Sequence, residues 1–191
     1  FVAQNIAEAL KCKFEAKDTK KITIIACENY IKASSFLKEL VLEKLPEDVA
    51  TFTQEVVIFA DAAVDCIVPP SENKESLTVR VEAFYELVVD KTALIDSDLL
   101  AIPNIIFTDT ILAFVERKLF TLNAAHATTA YLGYIMGYKA IDEAIADKNI
   151  RGFIQDMMTK NGEILCRKHN FDAAEHTKYI QKILKRFANT Y

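Results

Sequence analysis

Three side chains in one short segment have the types that oxidation of an alcohol needs. They are Lys118, Asn123 and His126, in the spacing K-x4-N-x2-H. Taking hydride from a secondary alcohol requires a base for the hydroxyl proton and donors to hold the developing alkoxide. A lysine whose pKa is lowered by burial and nearby positive charge can be that base. An asparagine amide and an imidazole N–H can be the donors, and this chemistry asks for no metal. On an α-helix the three fall near about 0°, 140° and 80°, which is one side, over a rise of about 12 Å. The plain alternative is a solvated helix face. Against it stand the small neighbours Ala124, Ala125, Ala127, Thr128 and Thr129, which leave room for a ligand, and the charged run Glu116-Arg117-Lys118 inside an otherwise apolar helix.

Further candidates lie earlier in the chain. Glu28-Asn29 follows the strand-like run Ile22 to Ala26, and open α/β sheets bind ligands at the carboxyl ends of their strands. From position alone, Asn29 is first expected to cap the helix that follows. Asp65, inside the strand-like Val64-Asp-Cys-Ile-Val, needs a partner, either a structural arginine or a ligand hydroxyl. His169 and His176 read as helix-end residues without ligand-spaced companions.

These residues must be positioned by the elements around them. Residues 1–17 read as an amphipathic helix with Val2, Ile6, Leu10 and Phe14 on its apolar stripe. The β-branched run from Ile22 fits a buried strand of a parallel sheet. A helix is expected from Tyr30 to about Leu45, and another from Pro46 to about Ile58. Strands are expected at Val64 to Val68, at Leu77 to Val81 and at Leu87 to Val89, with Pro69-Pro70 and the polar run Ser71 to Ser76 between the first two. Their close spacing suggests antiparallel additions at a sheet edge. After residue 100 only helices are expected. One is capped by Thr108 or Asp109 and runs through Leu122, and on towards Tyr138. Two or three more follow, the last announced by Asp172-x-x-Glu175. The fold class is therefore α/β over 1–100 followed by all-α over 101–191.

Composition narrows the function. The chain has 191 residues, 51% hydrophobic and 26% charged, with a formal net charge of -4. Scattered cations and net acidity argue against nucleic-acid binding. The modest cluster Lys182, Lys185 and Arg186 suits the end of a helix. Cys12, Cys27, Cys66 and Cys166 form neither a zinc-type pair nor a disulfide framework, and read as free, mostly buried thiols of a cytoplasmic protein. No run is long and apolar enough to span a bilayer. The four glycines, Gly133, Gly137, Gly152 and Gly162, leave no place for a glycine-rich dinucleotide turn. With its opening at Phe1, inside a helical pattern, the chain is expected to be a piece of a longer protein and inactive alone.

Five stretches carry a resemblance: IIACEN (24–29), KASSFLK (32–38), AVDCIVPP (63–70), TDTILAFVERKLFTLNAAHATTAYLG (108–133) and YIQKILKRF (179–187). In these the chain resembles the polyol-specific long-chain dehydrogenases, in particular the branch acting on mannitol 1-phosphate. The resemblance implies a Rossmann domain, most of it outside this chain, with 1–100 the C-terminal portion of its sheet and 101–191 a helical substrate domain. It also implies hydride transfer between NAD(H) and C5 of mannitol 1-phosphate, giving fructose 6-phosphate. It implies Lys118 as general acid/base, Asn123 and Asn29 as polarisers of the substrate oxygen, and His126 as an orienting group. Asp65 would meet a substrate hydroxyl and Glu28 the cofactor. The expected partner is this small polyol phosphate, with no membrane and no nucleic acid. The sequence does not fix an oligomeric state, and a monomer is favoured. The chain departs from the family pattern at Cys66 and Lys32, where arginine is usual, and at Ala124-Ala125, which lacks a glycine. Those departures bear on substrate preference, because lysine loses the bidentate fork of arginine. Three rivals remain open: a dehydrogenase of an unphosphorylated polyol, a β-hydroxyacid dehydrogenase, which also sets Lys and Asn on a helix, and a helical interaction module with an exposed apolar face after residue 100.

Overall fold

The computed structural model describes residues 1–68, 78–94 and 102–189. The chain divides into two units, Phe1–Ile111 and Leu112–Tyr191. The first begins with helix α1 (Val2–Glu15), strand β1 (Ile22–Ile24), and helices α2 (Ala33–Leu42) and α3 (Glu47–Val56). Strand β2 (Val57–Phe59) follows α3 with no intervening loop and pairs in parallel with β1, Ile22 opposite Val57. A parallel pair needs a crossover, and α2 and α3 supply it.

A second sheet has the order β3-β4-β5, from β3 (Ala62–Asp65), β4 (Glu86–Asp90) and β5 (Ile105–Thr108). The β3–β4 pair is antiparallel, as the close spacing predicts, whereas β4–β5 is parallel. Val88 and Val89 are buried at its centre.

Several expectations are corrected. Helix α1 buries Leu10 and packs Ile6 on the core as expected, but adds Ala3 and Ala7 to the buried face and leaves Val2 60% exposed. Helix α3 stops at Val56 and Val57–Phe59 is strand; the β-branched end of the helical run goes to the sheet. Residues 78–81 form no strand, while Leu77, Pro69-Pro70 and Ser71 to Ser76 lie outside the described residues. Strand β5 lies where only helix was expected, so Thr108 ends a strand, and its hydroxyl accepts the Thr110 N–H at 3.0 Å. Asp109 pairs with Lys91 at 2.8 Å. None of the four cysteines is buried; Cys12 and Cys27 are exposed, Cys12 lying off the buried stripe of α1.

The second unit is helical: α4 (Ile111–Arg117, which begins at the end of the first unit), a π-helical segment (Lys118–Asn123), α5 (Ala124–Ile135), α6 (Ile141–Ala146), α7 (Lys148–His169) and α8 (Ala173–Phe187). Gly137, with φ of 87°, terminates α5. The Tyr138 N–H reaches back to the Gly133 carbonyl and the Gly137 N–H to that of Tyr134, a closure that favours glycine in the left-handed position. Asp147 caps α7 through the amides of Asn149 and Ile150. Those amides hold its carboxyl below the usual carboxylate range. Asp172 caps α8 by accepting the Glu175 N–H, as its spacing predicts. Ile145, Ile154, Met158 and Ile183 are fully buried in the core between these helices.

Candidate active site

Lys118 and Asn123 are the first and last residues of the π-helical segment, and His126 lies one α-helical turn further on. This changes the geometry expected for a plain α-helix. A π-helix turns about 82° per residue, close to 4.4 residues per turn, because each N–H bonds five residues back. The Ala124 N–H to the Leu119 carbonyl is one such bond. Five π steps place Asn123 roughly 50° from Lys118, instead of roughly 140°, and three α steps then return His126 to within about 10° of Lys118. By these ideal rotations the three fall within an arc of about 60°.

The cause lies in packing. Ala113, Thr121, Ala125 and Thr129 are all buried, yet in a continuous α-helix they would spread over about 160°. With the widened segment between them they hold within about 70°, and the buried Leu122 extends that core-facing stripe to about 110°. Lys118 and Asn123 are half-buried, while His126 is exposed. The His126 ring meets the Phe187 ring edge-on, with centroids 5.5 Å apart, so α8 sets its orientation. A base and two donors along such an arc can remove a proton from a hydroxyl and stabilise the oxygen left behind.

Residues around the motif anchor it. Glu116 accepts two hydrogen bonds from Lys168 Nζ at 2.8 Å, and His169 Nε2 lies 2.6 Å from its Oε2. These bonds, that of Lys168 first, hold the Glu116 carboxyl below its ordinary range. The Arg117 guanidinium sits over the rings of Phe114, at 4.8 Å, and Tyr179, at 4.6 Å. The charged run inside the helix is therefore tied to α7 and α8. His169 and His176 are more than helix-end residues. His176 is 5% exposed and its ring nitrogens have no hydrogen-bond partner among the described residues. Burial first, then Arg117, pushes its pKa down. One further residue escaped sequence reasoning: Asn161 of α7 donates through Nδ2 to the Phe120 carbonyl at 2.9 Å, within the π-helical segment.

The first unit carries the other three candidates. Asn29 is exposed in a bend five residues past β1. It does not cap α2, whose N-cap is Lys32 in the left-handed region at φ 56°. Glu28 is exposed, and with Ala26 and Cys27 it lines a cavity of about 470 Å³. That cavity is walled by apolar residues, among them Ile6, Ile24 and Phe36. Asp65, 4% exposed, is the last residue of β3, opposite Glu86. Glu28 and Asn29 thus share one strand end, while Asp65 belongs to the other sheet.

The apolar face expected of an interaction module is also present, at the end of α5, where Tyr131, Tyr134 and Ile135 are each more than 70% exposed. Among the described residues no helix is long and apolar enough to cross a membrane.

Comparison with known proteins gives matches over nearly the whole chain. Residues 1–101 match the mannitol dehydrogenase Rossmann domain and residues 110–191 the mannitol dehydrogenase C-terminal domain. Among solved structures, a D-sorbitol dehydrogenase in substrate-free form aligns with 98% of the chain at 20% identity and a TM-score of 0.78. A Pseudomonas fluorescens mannitol 2-dehydrogenase, in a ternary complex with NAD and D-mannitol, aligns with 96% at 21% identity and a TM-score of 0.72. The chain spans 41% and 40% of the length of those two proteins. At these identities the likeness is one of fold: a Rossmann-like α/β start followed by a helical region.

Proposed function

We propose that this chain, which belongs to the mannitol dehydrogenase family, carries the proton-transfer machinery of an NAD-dependent polyol dehydrogenase, with Lys118 as its general acid/base. The widened turn over Lys118–Asn123 supports the reading best, since it gathers a base and two donors in one arc. Lys118 Nζ takes the hydroxyl proton as hydride leaves the carbinol carbon. Asn123 Nδ2 donates to the oxygen as it becomes a carbonyl, and His126 orients the neighbouring hydroxyl. Asn29 supplies a second amide to that oxygen, Asp65 a carboxylate for a substrate hydroxyl, and Glu28 a contact to the cofactor.

NAD, when bound, supplies the hydride acceptor. The residues present fit part of its site. The strand end at Glu28 and Asn29 opens beside a cavity, but none of the four glycines precedes residue 133, so no glycine turn here cradles a pyrophosphate. The activity accordingly belongs to the longer protein. Free thiols and the absence of a disulfide framework fit the reducing cytoplasm.

Within this class we assign mannitol 1-phosphate, oxidised at C5 to fructose 6-phosphate, as the substrate pair, on the resemblance of residues 108–133. A second reading, an unphosphorylated polyol, is favoured by the two structural neighbours, whose names are those of sorbitol and mannitol dehydrogenases, and by Cys66 and Lys32. The test follows NADH absorbance in the full-length protein with fructose 6-phosphate and with fructose. Consumption with the phosphate, lowered at least about a thousandfold by Lys118→Ala, is expected. Turnover of fructose alone transfers the assignment to the second reading, and near-normal turnover of Lys118→Ala refutes the base.

A further inference from the structure

The widened turn needs something to hold it. A π-helical segment interrupts the regular α bonding, and the carbonyls at the change of register have to find other donors. Phe120 lies in the middle of this segment, and its carbonyl accepts a hydrogen bond from Asn161, 41 residues on in α7. Asparagine is a poor residue for a helix interior. Here its amide reaches out of its own helix to another backbone. Thr121 and Leu122 of the same segment are buried, so the core holds the turn as well.

We infer that Asn161 is a positioning residue for the proton-transfer pair: through the Phe120 carbonyl it keeps the π-turn open and so keeps Asn123 on the Lys118 face. The inference rests on the function proposed above. If the turn closed to α geometry, Asn123 would swing from roughly 50° to roughly 140° away from Lys118. The donor would leave the oxygen from which Lys118 takes its proton. Asn161 touches no reacting atom; it acts through Asn123.

The test is a double-mutant cycle in the full-length protein with its NAD cofactor. Asn161→Leu keeps the size of the side chain and removes the donor; Asn161→Asp, isosteric and without an N–H, serves if leucine does not fold. Each is measured alone and in an Asn123→Ala background. The expected result is a fall in kcat of about tenfold, with KM for the polyol changed less than about twofold. In the Asn123→Ala background the same substitution should change kcat less than about twofold, because the residue it positions is gone. An unchanged kcat in the single variants overturns the inference, and so does an equal fall in both backgrounds, which would mark a merely structural bond. Lys118→Ala, run alongside, separates the levels. If it is inactive while Asn161→Leu is normal, the positioning role alone is lost; if it turns over normally, the site reading falls and takes this inference with it.

Discussion

Helix α7 contains two glycines that should respond in opposite directions to the same substitution. At Gly152 a new Cβ would meet nothing within 4 Å, while at Gly162 it would lie 2.6 Å from His176 Cδ2 and 2.8 Å from Nε2. Both positions gain helix propensity from alanine, up to about 1 kcal/mol. Gly152→Ala should therefore stabilise by about 0.5–1 kcal/mol. At Gly162 the ring would have to retreat by about 1 Å to regain ordinary contact. It has little room, because His176 is 5% exposed and packed beside Tyr179. Overpacking of this kind costs about 1–3 kcal/mol, so after the propensity gain Gly162→Ala should destabilise by about 1–2 kcal/mol. Urea unfolding followed by far-UV circular dichroism reads both values from the midpoint and slope. Adding His176→Ala to Gly162→Ala should remove most of the extra loss, a coupling that neither single change shows. If Gly162→Ala stabilises as much as Gly152→Ala, the close approach of α7 to α8 through this glycine is wrong.

Two predictions concern pH. His176 has its pKa lowered in the folded chain, by burial first and then by Arg117, so the unfolded chain binds the proton more readily. Stability is present above the ordinary histidine value of 6.5 and is lost as pH falls from there through the folded value. Unfolding midpoints measured from pH 8 to 5 should decline, and His176→Leu should flatten the decline; an unchanged slope would refute the role given to burial. Glu116 is also lowered, by Lys168 and His169, and its contribution is present above the ordinary value of 4.5 and lost as pH falls through the folded one. Glu116→Gln should thus lower stability more at pH 7 than at pH 3, and equal effects at both would sink the argument.

Most of the helices were legible because their apolar residues recur at a helical period and their caps are local. Asp172 is an example: its partner is the Glu175 amide, three residues away. Strands adjoining helices were less visible. Strand β2 follows α3 without a glycine, proline or polar break, so the period changes with no marker in the chain. Strand β5 is four residues beside a proline turn, too short to show alternation. In helix α1 only Val2 misled, since it faces out while the smaller Ala3 and Ala7 join Leu10 in the core. His176 could have been found. It continues the stripe Tyr179, Ile183 and Phe187 one turn towards the N-terminus, and all four are buried.

The residue types of the candidate site were readable, but their alignment was not, and the reason is physical. Angular reasoning from sequence assumes one rotation per residue, and a π-turn breaks that assumption at the place where the site lies. No local residue announces it, because Lys118 to Asn123 contains neither glycine nor proline and reads as ordinary amphipathic helix. What requires the extra width is the position of buried residues on both sides, Ala113 before it and Ala125 and Thr129 after it. What satisfies its backbone comes from Asn161, 41 residues beyond Phe120. Both are tertiary facts. The same turn then re-aims the motif. Here the core and the site ask for the same change of register. Helix propensity alone could not have favoured this geometry, because π-turns are rare in isolation.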